Sequence, residues 1–138
     1  MIYVIIQFTS IFSLIIYAEA SAFNSLSWVL ILLSVIIGLK AVFDMKIENL
    51  NILPQLKKDH NFVKSGIYSL IRHPMYTSVI LFCLALVSTN FDYISCLLLL
   101  ILYIDLFLKS KLEESYLLER FDQYKEYQKN TPRFLPKF

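Results

Sequence analysis

The polar side chains best suited to chemistry fall in two short stretches of an otherwise apolar chain. The first stretch, residues 66–78, places Arg72 and His73 directly before Pro74. Proline fits the first turn of a helix, because its φ is already helical and its missing N–H costs nothing there. We therefore expect a helix to begin at Pro74. Its N-terminus would present unpaired backbone N–H groups beside Arg72 and His73, an arrangement that favours a carboxylate or another anion.

The second stretch, residues 113–136, opens with two adjacent carboxylates, Glu113 and Glu114. Apolar or aromatic side chains then alternate with charges through residues 110–129, as in an amphipathic helix at a membrane surface. The residue before a proline disfavours the helical region, so this helix should end before Pro132. The apolar positions of the stripe are Leu117, Phe121, Tyr124 and Tyr127.

Together the two stretches resemble the signature of the isoprenylcysteine carboxyl methyltransferase family of integral-membrane enzymes. In the first stretch the resemblance is carried by Gly66, Tyr68, Arg72, His73, Pro74 and Tyr76. In the second it is carried by Glu113, Glu114, Leu117, Phe121, Tyr124, Tyr127 and the run from Thr131 to Pro136. One position departs from the family pattern. Ser78 stands where the family often has a glycine, so the pocket is expected to be slightly narrower there.

The resemblance implies a methyltransferase that uses S-adenosylmethionine (SAM) and acts on a lipophilic acceptor entering from the bilayer. In the family's founding activity the acceptor is the carboxylate of a prenylated cysteine. The resemblance implies Arg72 and Glu114 as catalytic residues, with Arg72 orienting an acceptor carboxylate through a bidentate contact. Glu114 is preferred over Glu113, although the sequence does not decide between them. The residues implied in SAM binding are Tyr68, His73, Pro74, Tyr76, Glu113, Leu135 and Pro136.

The nature of the acceptor stays open. A carboxylate acceptor needs no general base, whereas an amine or phenol needs one, and Tyr76, His73 or a glutamate is available. Three alternative functions also remain. The chain could methylate a phospholipid or another small lipid, act as an NADPH-dependent sterol-type reductase on a related scaffold, or be a non-enzymatic membrane interaction protein. A reductase would need several cations for its cofactor phosphates, whereas Arg72 is matched with two glutamates.

The composition is that of a membrane protein with one domain, residues 1–138. Apolar residues make up 57% of the chain and the mean hydropathy is +0.60, which exceeds the usual share of soluble proteins. With Gly38 and Gly66 as its two glycines, the chain cannot form a glycine-rich dinucleotide turn, so a Rossmann-type enzyme is excluded. Cys83 and Cys96 lie in apolar runs and are interpreted as packing residues. Neither a metal site nor a nucleic-acid partner is expected.

Four apolar segments are predicted to cross the membrane and to position the two stretches. They are residues 2–18, 26–43, 74–88 and 93–108. The predicted fold is therefore all-α, a polytopic membrane protein with about four transmembrane helices and a C-terminal amphipathic interfacial helix. The first segment is interpreted as a membrane helix rather than a signal peptide, because no basic region precedes it. With so few helices, a homo-oligomer is a possible state, and the roles of the first two helices stay unassigned.

The 13 lysines and arginines predict the orientation of the chain. None lies in residues 19–27 or 89–93, the two loops on the other side. By the positive-inside rule, both termini and the active site face the cytoplasm. One group flanks the connector between the second and third segments: Lys40, Lys46, Lys57, Lys58, Lys64 and Arg72. The other follows the fourth segment: Lys109, Lys111, Arg120, Lys125, Lys129, Arg133 and Lys137.

Three further polar features have a structural interpretation. Asp105 lies inside the fourth segment, where an acid should either pair or face a cavity. We expect it to pair with Lys109 one turn later, with a pocket-lining role as the alternative. Lys40 and Asp44 are expected to pair in the same way at the end of the second segment. His60, in a charged connector, is expected to be solvated rather than a ligand.

Overall fold

The structure is a computed structural model that describes residues 1–45 and 62–136. Its helices are α1 (Ile2–Tyr17), α2 (Ser25–Met45), α3 (Pro74–Val87), α4 (Tyr93–Arg120) and α5 (Tyr124–Asn130). Single 3₁₀ turns cover Ala20–Ala22 and Gly66–Ser69. The described part of the chain contains no strand, so the all-α prediction is confirmed. The predictions for His60 and for most of the polar connector lie outside the described residues.

Three of the four predicted apolar segments match helices α1, α2 and α3 within two residues at each end. The fourth is longer than predicted. Helix α4 runs without a break to Arg120 and includes the first half of the predicted interfacial helix, 110–129. No glycine or proline interrupts it, and it ends where Phe121 adopts an extended backbone. The prediction of a separate helix beginning at residue 110 is therefore wrong.

Two of the helices, α2 and α4, are long and apolar enough to cross a membrane. Helices α1 and α3 are equally apolar but have 16 and 14 residues. Four membrane crossings therefore stay a prediction. Large apolar side chains such as Phe12, Leu39 and Phe43 are exposed on the outer faces of the bundle. Apolar surface this extensive requires lipid around it, and the protein is an integral membrane protein.

The bundle pairs α2 with α3 and α1 with α4, and α3 also contacts α1 and α4. The shared core is formed by Leu14, Cys83, Leu86, Val87, Leu102 and Leu106. Cys83 is a free thiol inside this core and Cys96 packs against it, which confirms their interpretation as packing residues.

Ser78 belongs to the contact between α2 and α3. Its hydroxyl donates to the Ser34 carbonyl at 2.9 Å, and the Ser34 hydroxyl donates to the Ser78 carbonyl at 2.8 Å. A Cβ on Gly38 would lie 2.8 Å from Ser78 Oγ, so the two helices approach closely at this point. The expected narrowing of the pocket at Ser78 is therefore wrong, because this side chain faces α2.

Asp44, at the end of α2, holds the turn that leads to the first stretch. It forms the predicted pair with Lys40 at 3.0 Å and accepts a hydrogen bond from the Ile67 N–H at 2.7 Å. Gly66 has φ +62°, and a Cβ at this position would overlap the Asp44 carboxylate. A glycine is therefore needed here both for the backbone conformation and for the space.

The predicted pair between Asp105 and Lys109 is not formed. Both side chains are buried in α4, but neither carboxylate oxygen of Asp105 has a hydrogen-bond partner. Lys109 Nζ instead donates to Gln7 Oε1 at 2.9 Å and so ties α4 to α1. The pairing prediction is wrong because a closer neutral acceptor on another helix takes the ammonium. The alternative, a pocket-lining role for Asp105, stays a prediction.

Candidate functional site

The centre of the site is the carboxylate of Glu114 on α4, a residue that is only 2% exposed. Its Oε1 lies 3.0 Å from His73 Nε2 and accepts from Arg133 Nε at 3.1 Å. Its Oε2 accepts from Arg133 Nη2 at 2.7 Å and from Gln128 Nε2 at 2.9 Å. Arg72 Nε is an ion-pair neighbour 3.0 Å from Oε1, although no hydrogen bond forms. Both oxygens are thus fully occupied by protein donors.

The surrounding donors explain how the Glu114 carboxylate can be buried. Removing it from water is costly unless charges and hydrogen bonds compensate. Arg133 supplies a two-point contact in which both N–H groups meet a carboxylate oxygen, the strongest geometry available to this pair. Arg72 donates from Nη1 to the Gln128 carbonyl at 2.6 Å, which fixes the second guanidinium beside the carboxylate. Glu114 therefore acts as the point to which the surrounding segments are attached.

Backbone contacts join the start of α3 to the segment that follows α5. The Arg72 N–H donates to the Pro132 carbonyl at 2.9 Å, and the His73 N–H donates to the Arg133 carbonyl at 3.0 Å. The Thr77 hydroxyl donates to the Phe134 carbonyl at 2.7 Å. The C-terminal segment therefore folds back onto the bundle. The two stretches, far apart along the chain, form one site.

Glu113 faces a different set of groups from Glu114. The Tyr76 hydroxyl donates to Glu113 Oε1, and His73 Nδ1 lies 3.6 Å from Glu113 Oε2. The His73 and Tyr76 rings are stacked with centroids 5.4 Å apart and an interplanar angle of 1°. Each nitrogen of His73 therefore faces one carboxylate. Glu113 is also the more accessible acid, with 19% of its side chain exposed against 3% for Glu114.

An aromatic cluster packs against α5. Phe62 contacts Phe121, Tyr124 and Tyr127 with ring centroids 5.2–5.7 Å apart. The Tyr127 hydroxyl donates to the Tyr68 carbonyl. Burial raises the pKa of the phenols of Tyr68, Tyr124 and Tyr127, so all three stay protonated. The stripe predicted to face the membrane surface therefore packs inward and holds the end of the chain on the site.

Helix α3 begins at Pro74, as predicted, but its anion-binding capacity is smaller than expected. The N–H groups of Tyr76 and Thr77 both bond to the His73 carbonyl at 3.1 Å. Proline has no N–H. Within the described residues, this leaves Met75 as the first-turn N–H without an acceptor.

The structure brings together five of the predicted site residues around α4: Arg72, His73, Tyr76, Glu113 and Glu114. Pro74 contributes by starting α3. Three others lie apart from this cluster. The Tyr68 hydroxyl donates to the Ala41 carbonyl at 3.4 Å, and Leu135 is 72% exposed. Pro136 makes no polar contact with another described residue. The roles predicted for these residues stay predictions.

Sequence reasoning missed two members of the cluster, Gln128 and Arg133. Arg133 had a usable signal, since it is a cation in the same stretch as two adjacent glutamates. Gln128 had none, because an amide inside a charged helix looks like any solvated residue.

Comparison with known proteins gives two findings. The model of the family described as "Isoprenylcysteine carboxyl methyltransferase (ICMT) family" matches residues 21–119. A protein-S-isoprenylcysteine O-methyltransferase of Schizosaccharomyces pombe (strain 972 / ATCC 24843) is 35% identical over 81 residues, which is 57% of this chain and 34% of that protein. The chain therefore spans about a third of the length of this curated relative. The family match includes Arg72, His73 and both glutamates, and it ends before Gln128 and Arg133.

Proposed function

This chain belongs to the isoprenylcysteine carboxyl methyltransferase family, and on that premise we propose that it transfers a methyl group from SAM to a lipophilic acceptor within the membrane. The observation that carries the proposal is the closure of both sequence stretches around Glu114. His73 comes from the first stretch, and Arg133 from the second. Two stretches that resemble the family separately thus meet in one enclosed cluster, which a set of unrelated helix-end charges would not do.

The groups left free by the protein fit parts of SAM. Oε2 of Glu113 lies 3.6 Å from His73 Nδ1 and has no hydrogen bond to another described residue, so it can accept from the ribose or lie near the sulfonium. The Met75 N–H can meet the SAM carboxylate at the start of α3. The aromatic rings of Tyr76 and His73 offer an apolar wall beside them. We therefore place SAM on the Glu113 side of the cluster.

The contacts of Arg72 and Glu114 support a positioning role more than a catalytic one. Arg72 gives one N–H of Nη1 to the Gln128 carbonyl and holds Nε 3.0 Å from Glu114, so only its remaining N–H groups could reach an acceptor. Both Glu114 oxygens are already taken, so this acid orients His73 and Arg133. The catalytic roles predicted from the resemblance stay predictions.

Bound SAM would supply a methyl group on a positively charged sulfur, ready for in-line displacement. The protein's part is to hold both reactants in line in a dry site and to provide negative charge near the sulfonium. Glu113 has the position and partial exposure for this task. The contacts of the two arginines disfavour the reductase alternative. Arg72 and Arg133 both lie against Glu114 and are not free to bind the phosphates of NADPH.

We further propose that the site and both termini face the cytoplasm and that the acceptor enters from the bilayer. The first proposal is supported by the distribution of lysine and arginine along the chain. The second is supported by the apolar outer faces of the helices beneath the cluster. A homo-oligomer stays a prediction.

The deciding experiment is calorimetric binding of SAM to the detergent-purified protein, with NADPH as comparator. We expect SAM to bind and NADPH not to bind. Glu113→Gln should weaken SAM binding at least tenfold, or about 1.4 kcal/mol, because it removes the free carboxylate oxygen. Glu119→Gln is the matched control, since it makes the same change at an exposed position of the same helix. A folded parent protein that binds no SAM would refute the proposed function.

A further inference from the structure

Helix α4 carries a buried ammonium that the cluster around Glu114 does not use. Lys109 is 2% exposed and lies between two acids of the same helix, Asp105 and Glu113, each four residues away. Side chains four residues apart are neighbours on a helix surface. The ammonium could therefore turn toward either acid, and a contact from another helix is needed to fix its position.

Gln7 of α1 makes that contact. Lys109 Nζ donates to Gln7 Oε1 at 2.9 Å. Helix α1 has this one amide side chain and no charged one. Among the described residues, neither carboxylate oxygen of Asp105 has a hydrogen-bond partner, although the lysine is one turn away. The amide on α1 thus holds the ammonium away from an unpaired acid.

In this position the ammonium faces a residue of the site. Lys109 Nζ lies 5.2 Å from the centroid of the Tyr76 ring, within the range of a cation–π contact. The Tyr76 hydroxyl donates to Glu113, and its ring stacks on His73 with centroids 5.4 Å apart. Three contacts therefore orient Tyr76, and the one from Lys109 depends on α1.

We propose that Gln7 is a positioning residue of the SAM site, which acts by holding Lys109 on the Tyr76 ring and so keeps Tyr76 and Glu113 in the orientation that binds SAM. This inference rests on the proposed methyltransferase function. It gives a role in the site to α1, a helix that lies before the family match at residues 21–119.

The loss of Gln7 has a definite consequence. Without an acceptor on α1, the Lys109 ammonium turns to Asp105, because an unpaired carboxylate one turn away attracts it strongly at low dielectric. The Tyr76 ring then loses its cation, and the hydroxyl that it donates to Glu113 is held less firmly. SAM, which we place on the Glu113 side of the cluster, should bind more weakly.

The first measurement is calorimetric binding of SAM to the detergent-purified protein and to Gln7→Leu. We expect the variant to bind SAM about fivefold more weakly, or about 1 kcal/mol, the usual size of one hydrogen-bonded contact. Thr9→Leu is the matched control, since it places the same side chain at an exposed position of α1. It should leave SAM affinity within twofold of the parent.

The second measurement adds Asp105→Leu to Gln7→Leu. Leucine has the branched shape of aspartate but no acceptor, so the ammonium no longer has an acid on that side. We expect the double variant to regain SAM affinity to within twofold of the parent, and Asp105→Leu alone to leave it unchanged. If Gln7→Leu acted only by disturbing the packing of α1, a second substitution on α4 would not reverse its effect.

The outcomes separate the inference from the function on which it rests. If the folded parent binds no SAM, the proposed function fails and the inference fails with it. If the parent binds SAM but Gln7→Leu binds it equally well, only the inference is overturned. A double variant that stays as weak as Gln7→Leu also overturns it.

Gln7→Asn keeps the test decisive if the leucine variant does not fold. It retains an amide but withdraws the acceptor by one C–C bond, about 1.5 Å, which breaks the contact with Lys109. SAM affinity should fall in this variant and recover when Asp105→Leu is added. An unchanged affinity in Gln7→Asn would overturn the inference.

Discussion

Replacing Glu114 by glutamine should reveal how strongly the site depends on one carboxylate. The amide has a single oxygen, and both carboxylate oxygens of Glu114 accept from Arg133. Whichever way the amide turns, its NH₂ group faces an N–H of that guanidinium. At least one charge-assisted hydrogen bond is lost, and two guanidinium groups lose their counter-charge.

The cost follows from the geometry. Breaking a buried ion pair from one side costs about 3–5 kcal/mol. Arg133 is 19% exposed and can turn partly toward water, so the lower end of that range applies. For a chain of this length, a loss of about 3 kcal/mol lowers the unfolding midpoint by roughly 10 °C. Thermal unfolding in detergent, followed by circular dichroism, measures this shift.

Two further variants test whether the loss of stability comes from the contacts of Glu114. Glu119→Gln, the same exchange at an exposed position, should change the free energy of unfolding by less than about 0.5 kcal/mol. Arg133→Gln should cost less in the Glu114→Gln background than in the parent, because the two side chains contact each other directly. If the costs simply add, or if Glu114→Gln is as stable as Glu119→Gln, Glu114 is not the attachment point described here.

Three other predictions test the parts of the fold that hold the site in place. Gly66→Ala should destabilise the protein by about 1–3 kcal/mol, because alanine strains the positive φ and its Cβ displaces a carboxylate; an unchanged midpoint would contradict this. Tyr127→Phe should cost about 1 kcal/mol through loss of its hydrogen bond, whereas Tyr93→Phe, at a highly exposed position, should cost nothing measurable in the same unfolding assay. Cysteines introduced at Lys125 and at Phe91 should react with a membrane-impermeant maleimide from opposite sides of sealed vesicles; labelling from one side only would refute the proposed orientation.

The sequence predicted a helix end correctly where a residue at that end determines it. Pro74 marks the start of α3 because its backbone geometry suits only the first turn. The end of α4 was missed because hydropathy falls after residue 108, and hydropathy reports the lipid boundary rather than the helix boundary. The helix itself continues until the backbone changes at Phe121.

The site residues likewise differ in whether a local motif reveals them. The resemblance identified Arg72, His73 and Glu114, which lie next to recognisable motifs. It could not identify Gln128, whose contact with Glu114 depends on the direction that the chain takes after α4. That direction is set by packing of the aromatic cluster under α5, a contact between distant segments that no local pattern encodes.

The two adjacent glutamates have different roles because successive residues on a helix point about 100° apart. Glu114 points toward the C-terminal segment, where Arg133 neutralises it and fixes the chain. Glu113 points along the side of α4 that carries Lys109 and Asp105, and its side chain is partly exposed. One helix thus carries an acid enclosed by protein donors next to an acid that is more accessible. Glutamine at position 114 should therefore lower stability, and glutamine at position 113 should lower SAM affinity with little loss of stability.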